Sequence, residues 1–306
     1  QAYFRFHGVS SHAAGSPHLG RSALDAVELM DVGVNYMREH MEPTDRIHYA
    51  ITDTGGSSPN VVQNHAEVLY LIRSTDNNKV KRLYERVKNI AKGAALMTET
   101  NVEAVFDKAC SNILSNSILE QLLYDCMKTI PLPSYTEEEL AYAEQMKKTI
   151  TDADIASDMS LMMVHGAEKR RLASLYRELP MANFVVEHQH QDLFLPGSSD
   201  VGDCSHATPT AQFVGACFVP GTPAHSWQMT AQGKEKTAVK GMFYAAQVLS
   251  EACRRLFEKP EIVKQAREVF ENDTEGKPYE CPIPPEILPN ANGKRKKHSY
   301  ASGQEG

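Results

Sequence analysis

Apolar positions in the first third of the chain alternate between the two-residue period of a strand and the 3.6-residue period of a helix. Ala2 to Val9 alternates and predicts a strand. Ser22 to Met41 carries Leu24, Val27, Leu29, Met30, Val34 and Met37, a helical period, and Pro43 stops it. Ile47 to Thr52 and Glu67 to Ile72 read as two strands joined by a Gly/Ser/Pro/Asn connection. Asn77 to Thr98 is helical again, with Val80, Leu83, Val87, Ile90 and Ala94 on one face, and Val102 to Phe106 is a last strand. The order βαββαβ predicts a ferredoxin-like split βαβ domain.

After about Asn116 the pattern becomes helices with isolated strands. Helices are expected over Ile118–Thr129, Glu137–Ile150, Ser157–Glu178, Lys236–Phe257 and Glu261–Asn272. The β-branched run Asn183–Glu187 and the apolar run Ala211–Val219 predict strands, and an irregular end follows from Pro278. Two domains are expected, 1–115 and 116–306. The second has too few strands for a self-sufficient α/β sheet, so half of its sheet is expected to come from elsewhere.

Composition narrows the function classes. The 306 residues are 42% apolar and 23% charged, as in a soluble globular protein. A net charge of -7 argues against a general nucleic-acid binder. No apolar run approaches the ~20 residues of a membrane span. The basic run Lys294-Arg295-Lys296-Lys297 reads as a solvated tail. Six cysteines form no C-x-x-C pair and no metal-finger spacing, so reduced thiols in a cytoplasmic protein are the economical reading.

Two stretches carry candidate chemistry. Gly8-Val9-Ser10-Ser11-His12-Ala13-Ala14-Gly15-Ser16-Pro17 follows the first strand, and Pro220-Gly221-Thr222-Pro223-Ala224-His225-Ser226 comes far downstream. Each holds a histidine among small residues, where an imidazole can face a ligand. In this order they resemble the lid and the last metal ligand of the aminoacylase/carboxypeptidase-type dinuclear metallopeptidases, and the lid signature is most similar to the aminobenzoyl-glutamate hydrolase branch. That resemblance implies an α/β (α+β) architecture: a ferredoxin-like lid and dimerisation domain, then the C-terminal part of a zinc-peptidase-like catalytic domain. It also implies that His12 reaches the partner protomer's active site and polarises the scissile carbonyl, a standard electrostatic device.

Pro59-Asn60-Val61-Val62-Gln63-Asn64-His65-Ala66-Glu67, followed by Leu71-Ile72-Arg73, resembles the family's second lid element, with Gln63 in place of a proline. The resemblance implies that Asn60 and Arg73, thirteen residues apart, contact a substrate carboxylate. A planar guanidinium fork and a directional amide suit that task; the bland alternatives are a turn cap and a surface ion pair. His225 is implied as the C-terminal metal ligand. In Gly197-Ser198-Ser199-Asp200-Val201-Gly202-Asp203, the residues Asp200 and Asp203 are candidates to border the site, or to cap and solvate a loop. His188 and His190 share one face of the expected strand without a local third ligand, and read as a strand-end surface, with metal binding the lesser alternative. Glu137-Glu138-Glu139 complements a helix dipole and is a poor catalytic candidate.

The family's remaining metal ligands and its general-base glutamate are expected in a half that precedes the lid and is missing from this chain. The whole reading is a metal-dependent amidohydrolase for an N-acyl amino acid of the aminobenzoyl-glutamate type. It would use two Mn2+ or Zn2+ ions per complete site, act as a homodimer through the lid, and be inactive until the missing half is supplied. No nucleic-acid or membrane partner is expected. The alternatives are a non-catalytic dimerising protein or a carboxylate-binding module using Asn60 and Arg73.

Overall fold

The computed structural model describes residues 1–162, 164–188, 190 and 197–287. The described residues divide into two compact units, Gln1–Asn112 with 280–287, and Ile113–Tyr279.

The first unit is the βαββαβ arrangement that the periodicity predicts. Its elements are β1 (Ala2–His7), α1 (Ala23–Met37), β2 (Arg46–Asp53), β3 (His65–Arg73), α2 (Asn77–Thr98) and β4 (Asn101–Phe106). The strands form one antiparallel sheet in the order β2-β3-β1-β4. Burial along β3 alternates at every residue, so the sheet has one core face. Phe4 lies between Val68 and Ala104, and Phe6 between Ala66 and Val102. These side chains pack against Val27, Met30 and Val34 of α1 and Val87 and Ala91 of α2, all fully or almost fully buried. Truncating Phe4 to alanine would cost roughly 3–5 kcal/mol. Both helices start on side-chain caps: Ser22 Oγ accepts from the Asp25 N–H, and Asp76 from the Lys79 N–H. The helices pack closely at Gly33, where a Cβ would lie 2.7 Å from Ile90 Cγ2.

The second unit is helical, with α3 (Ser117–Thr129), α4 (Glu137–Lys147), α5 (Asp152–Leu161), α6 (Gly166–Glu178), α7 (Val201–Ala207), α8 (Trp227–Gln232), α9 (Lys236–Glu258) and α10 (Pro260–Asp273). Leu122, Leu123 and Cys126 of α3 pack on Tyr244, Val248 and Ala252 of α9. Glu139 closes a capping box with Thr136 and pairs with Lys240 at 2.6 Å, which gives the acidic run its structural role. Three expectations are corrected. The helix expected over 157–178 is two helices, broken before Gly166, whose φ of +58° is left-handed. The strands expected at 183–187 and 211–219 are absent among the described residues. Their β-branched composition favours a strand, but a strand needs a hydrogen-bonded neighbour, and this unit offers none among the described residues. The run Lys294–Lys297 lies outside the described residues. No described helix is long and apolar enough to cross a membrane.

Candidate functional site

The His12 loop is built by backbone pairing between two segments distant in sequence. Beyond β1, the Gly8 N–H donates to Asn64 O and the Val9 N–H to Arg21 O, each at 2.9 Å. A Cβ on Gly8 would lie 1.9 Å from Arg21 O, so only glycine fits. The Val62 N–H donates to Ser11 O and the Ala13 N–H to Asn60 O, both at 3.0 Å, around a bridge between His12 and Val61. Gln63, standing where a proline was expected, accepts from the Ala23 N–H at 2.8 Å and so ties this segment to the start of α1. The structure therefore brings His12 and Asn60 together on one end of the sheet, both exposed.

Within that loop the imidazole of His12 is oriented. Its Nδ1 accepts from the Gly15 N–H at 2.9 Å and the Ala14 N–H at 3.2 Å. A nitrogen that accepts two N–H groups carries no proton, so the neutral ring holds its proton on Nε2. The exposed loop thus presents an N–H donor.

Arg73 is elsewhere. It ends β3 opposite Arg46, eight residues beyond His65. At ~3.3 Å per residue that is about 26 Å along the strand, and Asn60 precedes the strand's start. One lid cannot apply both groups to one carboxylate.

The register also assembles groups that spacing did not reveal. His7 and His65 are direct cross-strand partners with ring centroids 5.2 Å apart, at the same end of the sheet as His12. His65 Nε2 lies 4.0 Å from Asp53 Oδ2. Burial holds the His65 pKa below its ordinary value, against the pull of Asp53. Arg5 donates to Glu67 at 2.7 Å and Thr52 to the other oxygen of that carboxylate at 2.7 Å, which keeps Glu67 low despite its burial.

In the second unit, the His225 loop is clamped at two points. Gly221, at φ +84°, donates its N–H to Asp158 Oδ2 at 3.0 Å, and the same oxygen accepts from the Tyr176 hydroxyl at 3.0 Å. Gln232, almost fully buried, accepts from the Val219 N–H at 2.8 Å and donates to Thr222 Oγ1 at 3.0 Å. Neither Gln232 nor Asp158 was recognisable from local sequence. His225 is exposed and has a φ of +57°, a left-handed backbone that costs a residue with a Cβ about 1–2 kcal/mol. Ser226 Oγ then caps α8, accepting from the Met229 N–H at 3.2 Å.

The other candidates have structural partners. Asp203 accepts from the Tyr279 hydroxyl at 2.7 Å, and Asp200 precedes α7 without a side-chain cap. His190 Nδ1 lies 2.7 Å and His188 Nε2 3.6 Å from one oxygen of Glu120, an acidic partner that local sequence did not show. Among the described residues no group of three or more His, Cys, Asp or Glu is arranged to hold a metal ion. His225 alone does not constitute a metal site, so these residues by themselves do not fit the dinuclear centre implied by the resemblance. A cavity of about 820 Å³ lies within this unit, lined by residues of α3, α6 and the segment 212–219.

In comparison with known proteins, residues 1–98 match the family model of the peptidase dimerisation domain. The chain is 45% identical over 291 residues to a p-aminobenzoyl-glutamate hydrolase subunit of Escherichia coli (strain K12), covering 95% of this chain and 60% of that protein. It is 32% identical over 99 residues to the Xaa-Arg dipeptidase of Mus musculus, covering 32% of this chain and 23% of that one. The solved structure of an aminobenzoyl-glutamate utilization protein from Klebsiella pneumoniae matches with a TM-score of 0.36 at 23% identity, over 42% of this chain and 33% of its own. The resemblance read from the lid motifs thus extends over nearly the whole chain, while the chain spans about 60% of its curated relative.

Proposed function

We propose that this chain is the lid-bearing portion of a metal-dependent amidohydrolase that cleaves the amide of an N-acyl amino acid, with an aminobenzoyl-glutamate-like substrate. The observation that carries the reading is the His12 imidazole, with its Nε2–H free to donate from the exposed end of a peptidase dimerisation domain. An N–H donor fixed before the reaction stabilises charge that develops on a carbonyl oxygen without reorganising. Asn60, zipped to the same loop, is the companion donor for the substrate carboxylate. The division at 115/116, with a lid on one side and part of a catalytic domain on the other, belongs to the same proposal.

A homodimer supplies what one lid lacks. Among the described residues the outer edge of β2 is unpaired, and its Tyr49 and Ile51 are 38% and 41% exposed. Two copies paired antiparallel along that edge reverse their ends, which puts Arg73 of one copy at the same end as His12 and Asn60 of the other. The single-lid carboxylate module is disfavoured by the ~26 Å between the two ends of β3. His225 is this chain's proposed contribution to a manganese or zinc site whose other ligands lie outside the described residues, and no step of this reading runs through that metal. The six cysteines are free thiols, which supports a cytoplasmic setting.

The test is hydrolysis of p-aminobenzoyl-glutamate with manganese or zinc. It compares the chain alone with the chain mixed with a polypeptide made of the part of the Escherichia coli protein that this chain does not match. Turnover in the mixture only is expected. No turnover in the mixture with either metal overturns the reading.

A further inference from the structure

Backbone pairing makes the His12 loop one half of a short ribbon with two faces. Exposure alternates along that half: Ser10, His12 and Ala14 are exposed, and Ser11 and Ala13 are half-buried. The inner face is closely packed, since a Cβ on Gly20 would lie 2.3 Å from Ser11 Oγ and 2.8 Å from Val62 Cγ2. The outer face carries His12 and, directly across from it, Val61. The two hydrogen bonds of that bridge flank the pair, running from the Val62 N–H to Ser11 O and from the Ala13 N–H to Asn60 O. This is the narrow kind of antiparallel pair, in which the two side chains share a face and the Cα atoms lie about 4.5 Å apart. An isopropyl group therefore stands beside the imidazole that presents its Nε2–H from this loop. Val61 is 43% exposed and belongs to none of the apolar clusters among the described residues. The part of it that faces water adds nothing to folding, so apolar surface is available next to whatever His12 contacts.

We propose that Val61 is a specificity-determining residue: the wall on which the substrate's acyl group packs while His12 donates to its carbonyl oxygen, so that the site selects a flat apolar acyl group such as an aromatic ring. The proposal rests on the amidohydrolase reading and deepens it. The scissile carbonyl is part of the acyl group, so a donor on its oxygen brings that group within reach of a side chain on the same face. The other end of an N-acyl amino acid is a carboxylate, which against an isopropyl group would lose water without gaining a partner. Asn60 and Arg73 are the polar groups proposed for that end. An aromatic ring loses little water there and buries apolar surface on both partners.

Steady-state kinetics of the complemented protein on p-aminobenzoyl-glutamate test it. A contact made equally in the ground state and the transition state is read in KM, whereas a displaced His12 is read in kcat. Val61→Ala is expected to raise KM about 10-fold with kcat within about twofold of wild type, and Val61→Ile to keep both near wild type. Inhibition by free p-aminobenzoate should weaken in Val61→Ala, and inhibition by free glutamate should not. The proposal is overturned if Val61→Ala leaves KM unchanged, and equally if kcat falls at constant KM, which would make Val61 only a support for the His12 loop. Equal weakening of both inhibitors would also overturn it, because the change would then be felt by the whole ligand and not by its acyl end. A wild-type mixture that does not turn over sinks the amidohydrolase reading and this proposal with it; wild-type turnover that Val61→Ala matches in KM sinks this proposal alone.

Discussion

The backbone N–H of Gly15 donates to Nδ1 of His12 at 2.9 Å, and this bond sets which ring nitrogen faces outward. Long-range 1H–15N correlation spectra of the neutral side chain are expected to show His12 with its proton on Nε2. Gly15→Pro removes the shorter of the two donors and is expected to produce a mixture of tautomers. A wild-type signal with the proton on Nδ1 would contradict the loop geometry.

Asp31 is the second group whose setting makes a prediction. It lies on the buried face of α1, accepts from the Tyr70 hydroxyl, and burial raises its pKa to about 6. A carboxyl with a raised folded pKa binds its proton more tightly when folded. Its contribution is therefore full below the unfolded pKa of about 3.9 and is lost as pH rises to about 6, on the order of 3 kcal/mol in all. Asp31→Asn keeps an acceptor for Tyr70 and removes the charge. Urea unfolding of the variant between pH 4 and 7 should lack the decline seen in wild type; an unchanged slope would remove Asp31 as its source.

His225 holds a left-handed backbone under strain, and glycine relieves that strain at the expense of a more flexible unfolded chain. His225→Gly is therefore expected to match or exceed the wild-type urea midpoint, whereas His225→Ala keeps the strain. A loss of more than about 1 kcal/mol in the glycine variant would show that the imidazole itself holds the loop.

The β2 edge predicts the assembly. Ile51→Lys places a charge on an exposed edge position without entering the core, a device that blocks edge-to-edge pairing. Sedimentation velocity should find the wild type dimeric and the variant monomeric at micromolar concentration. A dimeric variant would locate the interface elsewhere.

The βαββαβ order was legible because each element of the first unit carries its own period, and β3 alternates at every residue. Partnership between segments was not legible. The runs at 183–187 and 211–219 have strand composition, but pairing requires a neighbour that local sequence does not encode. The convergence of His188 and His190 on Glu120 depends on a fold that closes 70 residues of chain. Asn60 and Arg73 looked like one carboxylate clamp because spacing gives no direction, whereas an intervening strand holds them apart. Gln232 gave no signal at all: a buried glutamine that clamps a loop has the same local sequence as one that faces water.

The most direct test of the account is the rate of p-aminobenzoyl-glutamate hydrolysis by the complemented protein with His12 replaced by alanine. Losing one preorganised oxyanion donor is expected to lower kcat by roughly 100- to 1000-fold with KM little changed. A His12→Ala protein that turns over at the wild-type rate would contradict the central claim that this lid supplies the donor for the reaction.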